Sequence, residues 1–325
     1  MAIHTNELRK TPLFCERILH EVGRAVVGKK EVLQKILAAF LAGGHVLLED
    51  YPGVAKTLMA NSFARALGVS FRRIQCTPDL LPGDITGGYI HDRERNEFVL
   101  RKGPVFANIV LADEINRASP RTQSALLEAM QEGQVTLEGE TLPLPEPFLV
   151  IATQNPIEYE GTFPLPEAQL DRFLLKLSVG YPTLDEEREI LRRRRDRRRD
   201  AHDIWAAASA EELLDVRSCI ENVFLDDCIE EYIVHLVHAT RRRRQVAVGS
   251  SPRGALALMN LARTRAAMEG RGFVLPDDVK EFVLPALGHR VIVHSEYWSS
   301  PHVAESVLSG ILDETPVPVL DDARS

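Results

Sequence analysis

Apolar positions along the chain alternate between two patterns. Short continuous runs, Val46-Leu47-Leu48, Ile109-Val110-Leu111-Ala112 and Phe148-Leu149-Val150-Ile151-Ala152, each end at polar or turn residues and read as buried strands. Phe71 to Cys76 reads as a further short strand. Between the strands the period becomes helical. Glu7 to Phe40 predicts helix interrupted near Val27-Gly28, with Val32, Leu33, Ile36, Leu37 and Phe40 on one face. Leu58 to Leu67 predicts a helix ending near Gly68. Ser119-Pro120 supplies an N-cap and a first helical residue, Leu126, Leu127 and Met130 form the apolar face, and Gly133 stops the helix. Tyr89 to Leu100 and Gln134 to Leu144 carry hairpin patterns. From Thr183 onward the chain reads as helices: a capping box at Thr183 and Glu186, a stripe of Ile229, Tyr232, Ile233, Leu236 and Val237, a helix capped by Ser251-Pro252, and a helix over 276–287. The tail over 313–325 is polar and reads as loose.

The strand over 46–48 runs into Glu49-Asp50-Tyr51-Pro52-Gly53-Val54-Ala55-Lys56-Thr57, and Leu58 follows as helix. Strand, small-residue turn, Lys-Thr and helix is the layout of a phosphate-binding loop. Such a turn lays backbone N–H groups around a polyphosphate, and the helix N-terminus adds positive potential. Lys56 would reach the β- and γ-phosphates, and the Thr57 hydroxyl would ligate Mg²⁺. Asp50 and Ala55 stand where the usual pattern has glycine. Alanine at positive φ is costly, so Ala55 is expected at negative φ, with Gly53 supplying any unusual angle. An ordinary strand-turn-helix with a surface lysine fits this stretch as well. Val27-Gly28 is a candidate turn over an adenine, or a plain helix joint.

Asp113 and Glu114 end the strand over 108–112. Adjacent carboxylates there suit an ATPase: Asp113 to hold Mg²⁺, Glu114 to polarise the attacking water. Asp-Glu after an apolar run is also common as a helix-start charge pair. Asn155, at the end of the strand over 148–153, could sense the γ-phosphate or orient water; an Asn-Pro turn is the plainer alternative. Arg172 is a candidate arginine finger or a surface arginine paired with Asp171. Arg253, in a first helical turn, is misplaced by dipole logic unless a phosphate lies nearby. The seven arginines within 192–199, preceded by Glu186, Glu187 and Glu189, read as a solvated helix of mixed charge.

Composition narrows the class. At 325 residues, 45% hydrophobic and 26% charged, the chain suits about two soluble domains. A net charge of −8 argues against general nucleic-acid binding. No run approaches a membrane span, the N-terminus shows no secretory h-region, and four scattered cysteines suit a reducing cytosol. A cytoplasmic protein is expected.

Taken together, the loop over 49–57, Leu111-Ala112-Asp113-Glu114-Ile115-Asn116-Arg117-Ala118-Ser119-Pro120, Ala152 to Pro156, Leu165 to Phe173 and Ser251-Pro252-Arg253 make the chain resemble the MoxR family of AAA+ ATPases over about residues 20–310. The resemblance implies an α/β fold: a P-loop AAA+ three-layer core with a parallel sheet over 1–182, a small all-α lid over 183–312, and the polar tail. It implies ATP and Mg²⁺ held by Val27, Gly28, Asp50, Tyr51, Pro52, Gly53, Val54, Ala55, Lys56, Thr57 and Leu58, with Thr57 and Asp113 on the metal. Glu114 becomes the base, Asn155 the first sensor, Arg172 the finger and Arg253 a lid sensor of the γ-phosphate. A finger acting on a neighbour implies a homo-oligomeric ring, a hexamer by family habit. The two hairpins would be the inserts of this clade, near a client. Members are thought to be chaperones that mature or activate partners, often ones bearing a von Willebrand factor A domain, including metalloenzymes. A metal-chelatase motor subunit is the alternative; a nucleic-acid motor would have to use the 192–199 run.

Overall fold

The computed structural model describes residues 10–51, 53–156, 161–297, 300 and 302–318. In chain order the nucleotide-loop half holds α1 (Lys10–Ala25), α2 (Lys30–Leu41), β1 (Val46–Glu49), α3 (Lys56–Ala66), β2 (Phe71–Gln75), α4 (Pro82–Thr86), β3 (Gly87–Asp92), β4 (Glu97–Lys102), β5 (Ile109–Asp113), α5 (Pro120–Glu132), β6 (Gln134–Leu137), β7 (Glu140–Pro143), β8 (Leu149–Gln154), α6 (Glu167–Leu170) and β9 (Leu175–Leu177). After it come α7 (Leu184–Arg197), α8 (Ala210–Ile220), α9 (Asp227–Thr240), β10 (Val246–Val248), α10 (Pro252–Met268), α11 (Pro276–Leu287), β11 (Ile292–Val293) and α12 (Val303–Glu314).

Five strands form one parallel sheet in the order β2-β5-β8-β1-β9. Side chains alternate between its faces, so the continuous apolar runs require cover on both sides. Val46, Leu48, Ile109, Leu111, Leu149 and Ile151 face one buried cluster, which α1, α2, α3 and the later helices complete. Leu47, Val110, Ala112, Val150 and Ala152 face a second cluster, closed by Leu126 and Leu127 of α5. This is the expected three-layer α/β core. The local signals act as read: Ser119 accepts from Thr122 N ahead of α5, Thr183 and Glu186 form a reciprocal box ahead of α7, and Ser251 accepts from Arg253 N ahead of α10.

The helices after β9 share the first cluster through Leu258, Leu261, Phe282 and Leu308, so the helical lid packs on the same face as α2. It also holds one short antiparallel ladder, β10 with β11, that the pattern did not suggest. The two hairpins, β3–β4 and β6–β7, stand as separate two-stranded ladders outside the main sheet. Part of the polar tail is helical, because α12 runs to Glu314; residues 319–325 lie outside the described residues.

Candidate nucleotide site

In a parallel sheet all strands end on one edge, and loops after adjacent strands meet there. β5, β8 and β1 are neighbours, so the segments after Asp113, Gln154 and Glu49 converge. Lys56 opens α3, and its Nζ donates to the Asp50 carbonyl at 2.7 Å. Burial lowers the Lys56 pKa, opposed by the charges of Asp50, Asp113 and Glu114. The lysine and the acid pair therefore feel one another across the strand ends. Thr57 follows in the first turn of α3, and the free N–H groups of that turn point at this edge.

The loop corrects one expectation. Ala55 sits in the left-handed region, φ 60°, alongside Gly53 at φ 86°. It is the residue preceding the first turn of α3, where the chain must reverse into the helix. Left-handed backbone at an alanine costs roughly 1–2 kcal/mol, and residues so held cluster at functional sites. Glu114 is the second such residue here, at φ 57°.

The acid pair is wired by residues that sequence reasoning missed. Asp113 Oδ1 accepts from Thr153 Oγ1 at 2.6 Å, and Oδ2 accepts from Arg73 Nη2 at 2.6 Å. Gln75 Nε2 donates to Glu114 Oε2 at 3.0 Å, and Arg117 Nη1 lies 3.2 Å from the same oxygen. Arg73 and Gln75 are two apart on β2, hence on one face, and Gln75 stands in register with Asp113. Their spacing was legible; the strand order that sets β2 beside β5 was not. Asn155 is 7% exposed just beyond β8, and its carbonyl accepts from Asn116 Nδ2 at 3.5 Å.

A cavity of about 300 Å³ adjoins the loop, lined by Val27, Gly53, Val54, Ala55 and Leu58 among others. Its walls are mainly apolar, as a planar base requires. Ile190, Arg193, Arg194 and Arg197, at helical spacing on α7, form a further wall. Much of the arginine run is paired with nearby acids, Arg192 and Arg193 with Glu189, Arg194 with Asp200 and Arg199 with Asp203. Gly28 abuts Glu186: a Cβ there would lie 1.7 Å from its Oε1. These residues fit a nucleoside triphosphate with its Mg²⁺. The apolar cavity suits the base, and Lys56, Thr57 and the helix N-terminus suit the phosphates.

Among the described residues, Gly28, Asp50, Tyr51, Lys56 and Thr57 do not line this cavity. The Asp50 carboxylate is 4% exposed and holds the chain after β9, accepting from Val179 N, Gly180 N at 3.0 Å and Ser178 Oγ at 3.1 Å. Tyr51 stacks on Tyr181, ring centroids 5.6 Å apart. Pro52 lies outside the described residues.

Arg253 stands away from the Lys56 loop. Leu174 N donates to the His45 carbonyl, so the segment carrying Arg172 lies level with the start of β1, whereas the Lys56 loop follows its end. Arg253 sits with that segment, its Nε 4.0 Å from Asp171 Oδ2. Four residues of strand span roughly 13 Å, and both arginines are at the far edge from Lys56. A lid sensor reading the phosphate of its own chain does not fit this placement. Arg172 and Arg253 instead line one cavity of about 260 Å³ with Gly43, Asp171, Asn260 and Arg290. Asp171 does not pair with Arg172, as the alternative reading had it, but with Arg290 at 2.7 Å.

Comparison with known proteins gives the family. The model of the ATPase family associated with various cellular activities (AAA) matches residues 45–175, and that of the AAA lid domain matches 238–311. Chaperone MoxR1 of Mycobacterium tuberculosis is 45% identical over 93% of this chain and 82% of its own. The chain belongs to the MoxR family of AAA+ ATPases. Another relative in this range is the uncharacterized protein YeaC of Bacillus subtilis, 47% identical over 95% of this chain and 96% of its own. A crystal structure from Cytophaga hutchinsonii, provisionally described as an ATPase, superposes with TM-score 0.90 at 39% identity, over 97% of this chain and 98% of that one. No helix among the described residues is long and apolar enough to cross a membrane.

Proposed function

We propose that this MoxR-family member hydrolyses ATP to ADP and phosphate and uses the resulting lid motion to remodel, activate or mature a partner protein. The observation that supports it best is the meeting of Lys56, Thr57, Asp113, Glu114 and Asn155 at the ends of three adjacent strands, beside an apolar cavity. Lys56 binds the β- and γ-phosphates. Thr57 and Asp113 would hold Mg²⁺, which when bound would supply charge neutralisation at the phosphates. Glu114, held by Gln75 and Arg117, accepts the proton of the attacking water. Asn155 orients that water. Residues 1–182 act as the nucleotide-binding core and 183–312 as the lid.

Arg172 and Arg253, an edge away from Lys56, serve the phosphate of a neighbouring copy. That requires a homo-oligomeric ring, by family resemblance a hexamer working in the cytoplasm. The same resemblance supports a partner bearing a von Willebrand factor A domain, or a metalloenzyme. Glu114→Gln tests the site. Steady-state ATPase should fall on the order of 10²–10⁴-fold with ATP binding retained. Unchanged turnover removes Glu114 as base. The same variant, holding ATP without turnover, should retain a von Willebrand factor A domain protein or metalloenzyme in a pull-down. Recovery of neither would overturn the partner assignment.

A further inference from the structure

Arg290 is 7% exposed, in a chain whose proposed chemistry has no use for it. An arginine taken out of water must find partners for all its donors. Arg290, just after α11, spends them on one short segment. Its Nε donates to Asp171 Oδ1 at 2.7 Å, Nη2 to the Phe173 carbonyl at 2.7 Å and the Asp171 carbonyl at 3.2 Å, and Nη1 to the Leu174 carbonyl at 3.3 Å. Nη1 also donates to the Ala286 carbonyl of α11. The neighbouring His289 adds Nε2 to the Phe173 carbonyl at 3.0 Å, and its burial holds the ring neutral, with a pKa near 3. Two consecutive lid residues thus grip residues 171, 173 and 174, on both sides of Arg172.

Asp171 faces the other way as well. Its Oδ2 accepts from Ser251 Oγ, the N-cap of α10, at 3.2 Å, and lies 4.0 Å from Arg253 Nε. One carboxylate therefore meets the buried arginine, the cap of the helix bearing Arg253, and Arg253 itself, and precedes Arg172 in the chain. The Arg172 side chain makes no ion pair or hydrogen bond among the described residues and, half-buried, lines the same cavity as Arg253.

We propose that Asp171 and Arg290 are positioning residues that fasten the lid to the finger segment, so that Arg172 and Arg253 present two guanidinium groups, as one rigid unit, to the triphosphate of an adjoining copy. This rests on the in-trans role given to Arg172 and Arg253 above. Misplacing a catalytic group by about 1 Å can cost on the order of 10² in rate, so loosening the unit acts on kcat. The ATP-binding residues lie at the other sheet edge, and KM stays.

The test uses the paired variant Asp171→Asn with Arg290→Gln, which removes both charges together, so that neither is left unpaired, and most of the guanidinium's hydrogen bonds with them. Expected are a retained thermal transition, KM for ATP within about twofold of the parent, and kcat lowered roughly 10–10²-fold. Mixing it with Glu114→Gln subunits should restore turnover, since intact Lys56 sites of one then face intact arginines of the other. Arg172→Ala mixed with Glu114→Gln is the control. If the control recovers and the paired variant does not, or if the folded paired variant turns over at the parental rate, the positioning role is wrong. If the control itself fails to recover, the in-trans reading falls instead. Should the paired variant not fold, Asp171→Glu, which keeps the charge and shifts it by one methylene, takes its place with the same expected split between kcat and KM.

Discussion

Ala55 takes φ 60° because the chain must turn sharply between Gly53 and the first residue of α3. Glycine there would relieve the left-handed cost of roughly 1–2 kcal/mol but add unfolded-state freedom of about 0.4–1 kcal/mol. Ala55→Gly should therefore be near neutral in a denaturant titration, while Ala55→Val, branched at Cβ, should lose about 2 kcal/mol. Equal losses for both would mean that the angle is not the constraint. His45 makes a pH prediction. Its Nδ1 accepts from Val150 N and its Nε2 donates to the Met130 carbonyl, which fixes a neutral ring. Burial pushes its pKa from 6.5 down to about 4. Between those values the unfolded chain binds a proton that the folded chain refuses, so stability is full above the upper value and declines as pH falls toward the lower one. His45→Gln should flatten the stability profile between about pH 7.5 and 5 by about 2 kcal/mol. Parallel profiles would exclude the ring as the titrating group.

Helix starts were readable because capping is local: a hydroxyl bonds an amide two or three residues on, as at Ser119, Thr183 and Ser251. Joints between elements were less so. Gly28 separates α1 from α2, at φ 66°, and stands against Glu186, whose carboxylate also caps α7 through Thr183 N at 2.8 Å. Gly28→Ala puts a methyl into that carboxylate at an angle alanine resists. A loss of about 2 kcal/mol is expected, from backbone and cap together. Because Val27 lines the base cavity, KM for ATP should rise severalfold while kcat holds. A stable variant with unchanged KM would separate this joint from the nucleotide.

Across the whole molecule, the two halves of the proposed site lie at opposite edges of the sheet. Lys56 and Asp113 occupy one edge of the sheet, Arg172 and Arg253 the other. Specific ATPase activity should therefore rise with protein concentration until assembly saturates. Arg172→Ala should lose about 10³-fold or more in kcat while binding ATP. Concentration-independent activity in sedimentation-matched samples would show a monomer working alone.

Strands β1, β2, β5 and β8, the two hairpins, most of the helices, the strand-end carboxylates and the lysine loop were determined by the sequence alone. Each depends on periodicity, caps or turns among residues a few positions apart, and a parallel sheet then delivers its strand ends to one edge by construction. Only the tertiary structure decided that Arg253 joins Arg172, that Asp171 turns from its neighbour to Arg290 some 119 positions away, and that Arg73 pairs with Asp113. Those partners are chosen by strand order and by the side of the sheet on which the lid packs. Burial energy fixes both through the sum of many apolar contacts, and no local pattern in the chain records that sum.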